Sequence, residues 1–73
     1  MVSNVTLRRM EDLYELHRAV LEANYLGWHV VFDAETGEYV VSPDMDQAGA
    51  LAEEKFGKDR LKFQMGVGFD YRA

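Results

Sequence analysis

Two periods alternate along this chain, and each marks a different kind of element. Leu7, Met10, Leu13, Tyr14, Val20, Leu21 and Tyr25 recur at steps of three and four, the spacing of one face of an α-helix. Glu11, Glu15, Arg18 and Glu22 gather on the opposite side, where Glu15 and Arg18 stand one turn apart and can pair. The pattern predicts a helix over about residues 6–24, with Asn4 or Thr6 as its cap and Gly27 as its break.

From Trp28 the period changes to two. Trp28, Val30 and Phe32 share one face of a strand, residues 33–38 turn, and Tyr39 with Val41 alternates again, so the segment reads as a β-hairpin. Within the turn the Asp33 carboxylate can accept backbone hydrogen bonds, and Gly37 can supply a positive φ. Ser42, Pro43, Asp44 and Asp46 then carry a cap, a proline suited to a first turn, and acids at a positive dipole end. A second helix should run to about Phe56 and stop at Gly57, with Ala48, Gly49, Ala50 and Ala52 small enough to lie close on a sheet.

The last segment alternates most cleanly. Leu61, Phe63, Met65, Val67, Phe69 and Tyr71 are apolar at odd positions and Lys62, Gln64, Gly66, Gly68, Asp70 and Arg72 take the even ones, which predicts a strand with one wet face. Gly66 and Gly68 mark a bulge or a close approach to the open face. The expected fold is α+β, a single domain over residues 1–73 in the order α-β-β-α-β. A strand that returns through a helix runs parallel to the one before it. Placing it beside the first strand gives a three-stranded antiparallel sheet in the order 2-1-3, and both helices are expected on one face.

Composition narrows the setting. At 73 residues the core is small, and net stability of more than about 3–5 kcal/mol is not expected without a partner. No cysteine is present, which removes disulfides and cysteine-ligated zinc and favours a reducing compartment. Residues 1–13 mix Arg8, Arg9, Glu11 and Asp12 where a secretory leader needs an apolar run, and no spanning segment is visible, so a cytoplasmic protein away from membranes is expected. Thirteen acids oppose eight bases, and no Lys or Arg stands between Ala19 and Glu54. Glu22, Asp33, Glu35, Glu38, Asp44, Asp46, Glu53 and Glu54 fill that stretch; Lys55, Lys58, Arg60 and Lys62 follow directly.

Candidate chemistry is sparse. His17 falls within the apolar stripe of the first helix, which suits a packed residue against the sheet or a partner better than a base, and His29 should project from the sheet face away from the core. Ser42 is better explained as a helix cap than as a nucleophile. Counted from Asp33, the turn has its glycine at the fifth position and no glutamate at the twelfth, so it fails the EF-hand template; no metal or cofactor is expected. Nucleic-acid binding is not expected either, because the balance is acidic and Phe63, Phe69 and Tyr71 do not interleave with the basic positions on an open face.

The reading is therefore a small acidic protein-binding module, an inhibitor or adaptor and not an enzyme. Phage-encoded inhibitors that present acids in place of nucleic-acid phosphates offer a comparison of class, not of motif. Asp33, Glu35, Glu38, Asp44 and Asp46 are the expected contact residues for a basic protein surface. The overhanging end of the last strand, with Phe69 and Tyr71, is the expected homodimer contact. A self-associating structural protein or a small ligand-binding or enzymatic subunit is the alternative.

Overall fold

The computed structural model describes residues 4–68, with side chains from residue 8 onward. The elements are α1 (Asn4–Asn24), β1 (His29–Asp33), β2 (Tyr39–Ser42), α2 (Met45–Phe56) and β3 (Lys62–Gly66). The order is α-β-β-α-β, as the two periods imply. The sheet runs β2-β1-β3, with β1 antiparallel to both neighbours. Phe32 stands opposite Tyr39 on one side and Phe63 on the other; Val30 stands opposite Val41 and Met65.

The two helices do not share a face, contrary to the sequence expectation. Leu13, Tyr14 and Leu21 of α1 pack with Val30, Phe32, Phe63 and Val67, while Ala48 and Ala52 of α2 pack with Val31, against Val40 and Phe56. Successive strand residues point to opposite faces, so the consecutive apolar residues Val30, Val31 and Phe32 require cover on both. α2 supplies the second cover, and the molecule is a three-layer sandwich with β1 as its buried centre.

Both helices end for local reasons. Gly27 follows α1 with φ 86°, and its N–H donates to the Val67 carbonyl at 3.1 Å, tying the turn to the end of β3. α2 is capped by Asp44, whose carboxylate accepts from the Gln47 N–H at 2.9 Å, so Ser42 is not the cap. The Ser42 hydroxyl instead accepts from the Asp44 N–H and donates to the Gln47 side chain, holding the entry turn. Gly57 closes α2 with φ 95°.

β3 is shorter than the alternation predicts: it ends at Gly66 and residues 67–68 form a turn, with Phe63 buried and Met65 half-buried within the strand, Val67 buried just after it, and Leu61, before the first paired residue, 60% exposed. Gly68 takes φ 94°, a conformation that side chains rarely adopt, beside the exposed Leu26. Phe69 and Tyr71, the expected homodimer contacts, lie outside the described residues.

Candidate functional site

The hairpin turn is organised around one buried carboxylate. Asp33 ends β1 with only 1% of its surface exposed, so it is no part of an acidic surface, contrary to expectation. One oxygen accepts from the Glu35 N–H at 2.8 Å and the Thr36 N–H at 3.3 Å; the other lies 3.0 Å from the Arg60 guanidinium. Burial is the largest single influence on this carboxyl and opposes ionisation. The two N–H donors and Arg60 together outweigh it and hold the pKa below the ordinary aspartate value. Arg60 also reaches Glu35 at 2.8 Å, so two of the five expected contact acids share one cation.

The remaining expected acids are not brought together. Glu38 and Glu35 belong to the turn before β2, and Asp44 and Asp46 follow it, so the strand alone separates the pairs by about 10 Å. Asp44 is exposed but committed through its cap bond. Asp46 lies on the outward side of α2, opposite Ala48 and Ala52. That side also carries Glu53 and Glu54, both exposed. Spacings of seven and eight residues from Asp46 put them on one helical face, a signal present in the sequence.

Acids fall into two sets by their partners. Glu15 and Glu22 are held by Arg18 at 2.8 and 3.2 Å, and Asp33 and Glu35 by Arg60. Asp46, Glu53 and Glu54 form no ion pair among the described residues. Their face spans about 12 Å of helix from Asp46 to Glu54.

A second polar network lies under α1. The buried Tyr14 hydroxyl donates to Glu22 at 2.7 Å and accepts from the Gly68 N–H at 2.9 Å, linking the helix to the end of β3. Burial is the chief reason the Tyr14 pKa is raised; the Gly68 N–H opposes the shift and the Glu22 carboxylate adds to it. Glu22 is lowered, chiefly by the Tyr14 hydrogen bond and further by Arg18, against the effect of burial.

Both histidines are half-buried. The His17 ring is stacked over Phe32 at 5.9 Å and edge-on to Tyr39 at 5.0 Å. His29, in β1, pairs in register with Ser42 and Gly66. No group of three metal-ligating side chains occurs among the described residues, and none of their helices is long and apolar enough to cross a membrane.

Two clefts flank Arg9. One, of about 470 Å³, lies between the hairpin turn and the α2–β3 loop, lined by Ala34, Glu35, Asp59, Arg60, Leu61 and Phe63. The other, of about 500 Å³, separates α1 from the hairpin and includes Leu13, Leu16, His17, Tyr39 and Lys55. Arg9 itself donates to the Ala34 carbonyl at 3.1 Å, bracing α1 against the turn. No protein-family model matches the chain, and no curated protein or solved structure matches it.

Proposed function

We propose that this chain is a small protein-binding module, an inhibitor or adaptor, that meets a basic partner surface with the outward face of α2. The observation that carries this reading is the pairing of charges. Arg18 and Arg60 neutralise acids on α1 and the turn, while Asp46, Glu53 and Glu54 share one exposed face without an ion-pair partner among the described residues. Lys55 projects from a different side of the helix and lines the α1–hairpin groove. Unneutralised carboxylates along about 12 Å of helix make a local negative field that steers a basic partner and is screened by salt.

A catalytic reading has less behind it. His17 is packed against two aromatic rings, and the Ser42 hydroxyl is bonded to Gln47 and Asp44. Self-association is the second binding reading, favoured by the exposed side chains of Leu16, Val20 and Leu26.

The deciding experiment captures partners from native lysate with the parent chain and with two charge-reversed variants, then measures association of the captured protein. Reversal of Asp46, Glu53 and Glu54 to Lys should slow association at least about tenfold at low salt, and the deficit should shrink as salt rises. Reversal of Glu35 and Glu38 serves as the control on the turn. Equal rates for the parent and the α2 variant would return α2 to ordinary solvated surface; sedimentation of the parent alone tests self-association.

A further inference from the structure

The sheet has two edges, and they are not equally protected. β3 is an edge strand that carries Lys62 and Gln64 in register with Asp33 and Val31, and a lysine on an edge strand discourages further strand pairing. β2 reads Tyr39-Val40-Val41-Ser42 and carries no charge. The Asp33 N–H donates to the Glu38 carbonyl at 2.8 Å, and Val31 stands opposite Val40. Hydrogen-bonded pairs alternate along an antiparallel ladder, so Glu38, Val40 and Ser42 turn their backbone groups towards β1. Tyr39 and Val41 turn theirs outward, to an edge with no strand beyond it among the described residues.

Beside this edge lies the groove of about 500 Å³ between α1 and the hairpin. Leu13, Leu16 and Tyr39 give it apolar walls, and Leu16 is 74% exposed. Arg9 enters from α1 and Lys55 from α2, and neither has a carboxylate partner among the described residues. Glu38 is the acid in the lining, and His17 forms part of the wall. In a chain of net charge −5, two cations from separate helices line one groove, beside a strand edge that is unpaired among the described residues.

We infer that this edge and groove form a second binding site, for an extended segment of a partner protein that carries a carboxylate side chain between two apolar ones. The segment adds to β2 through the outward backbone groups of Tyr39 and Val41. Its alternate side chains fall on the α1 side, where the outer ones rest on Leu16 and Tyr39 and the central carboxylate meets Arg9 and Lys55. The site is independent of the acidic face of α2 and takes the opposite charge.

The test titrates the isotopically labelled full chain with the peptide acetyl-Leu-Thr-Glu-Thr-Leu-amide and follows backbone amide resonances. Expected are saturable shifts at Gly37, Tyr39 and Val41 and a dissociation constant at or below about 1 mM. Replacing the peptide glutamate with glutamine should weaken binding about fivefold, the size of a partly exposed ion pair. Lys55→Gln, which leaves the Arg9 brace intact, should weaken the glutamate peptide similarly and the glutamine peptide hardly at all. N-methylation of the two threonine amides and the central glutamate amide should abolish binding.

The inference is overturned if the shifts map to Lys62–Gly66, if the glutamate and glutamine peptides bind equally, or if the N-methylated peptide binds like the parent. It is also overturned if the Tyr39 and Val41 resonances move with protein concentration alone, since a second copy of the chain would then cover the edge. Reversal of Asp46, Glu53 and Glu54 should leave peptide binding unchanged or slightly stronger, so failure here and failure of the α2 reading are separate results.

Discussion

The two faces of the sheet are built from different materials. Under α1 lie large side chains, Leu13, Tyr14, Leu21, Phe32 and Phe63, with a polar network at one end. Under α2 there are two alanines and Val31, backed by Val40 and Phe56. Apolar area removed from water scales with side-chain size, so the α1 face holds most of the hydrophobic stabilisation. The α2 face gains its contacts by proximity: α2 buries alanines against Val31, so the helix lies close and this layer adds little volume. α1 anchors the fold, and α2 completes it and offers its outer side to solvent.

The largest test of this contrast compares truncations on the two faces of β1. Phe32→Ala should cost about 3–5 kcal/mol, and Val31→Ala about 1.5–2.5 kcal/mol. Net stability of a domain this small is about 3–5 kcal/mol, so the first variant should be largely unfolded and the second folded with a lower urea midpoint. Equal losses would mean that the faces contribute equally.

The next test fills the thin face. Ala52 is fully buried, and Ala52→Leu would force α2 away from the sheet at a cost of about 1–3 kcal/mol. Urea unfolding measures it; a neutral result would show that α2 has room to retreat and is not closely seated.

Order and pairing of the elements are legible in the sequence because both rest on local signals: helical spacing in residues 7–25, alternation from Trp28, and glycines at 27, 37 and 57. The side taken by α2 does not follow from the alternation of Trp28, Val30 and Phe32, which defines one face only; the uninterrupted run Val30, Val31, Phe32 asks for cover on both sides. At the candidate site, Asp33 was legible as a turn carboxylate. Its partner Arg60 lies 27 residues later and is joined only by the β1–β3 pairing, which no local pattern encodes. Glu53 and Glu54 are legible through their spacing from Asp46, although the acids crowd most densely around the hairpin.

Smaller effects are expected from the two polar networks. Tyr14→Phe keeps the ring in place and leaves the Gly68 N–H without its acceptor, at a cost of about 1–2 kcal/mol, visible as a lower melting temperature. Because the Tyr14 pKa is raised on folding, its share of stability is complete below the ordinary tyrosine value, near pH 10, and is lost as pH rises through the folded value. Asp33 has the opposite sign. Its lowered pKa contributes stability that is complete above about pH 4 and is lost as pH falls through the folded value. The melting-temperature gap between the parent and Asp33→Asn should therefore be widest at neutral pH and close in acid; a gap that stayed constant with pH would mean that the variant fails through altered packing of the turn and not through lost charge.

The smallest effect comes from Gly49 and sharpens the contrast between the faces. It sits in the interior of α2, where glycine costs roughly 0.5–1 kcal/mol relative to alanine through its greater freedom in the unfolded chain. A Cβ built there meets nothing within 4 Å, and φ lies outside the positive region, so neither crowding nor strain opposes the change. Gly49→Ala should stabilise the domain by about 0.5–1 kcal/mol, read as a higher urea midpoint at unchanged slope. Gly68→Ala is the counterpart on the other side of the sheet. Its φ of 94° is one that an alanine adopts only under strain, so the same substitution should destabilise. Loss of stability in Gly49→Ala would mean that α2 sits still closer to the sheet at that turn.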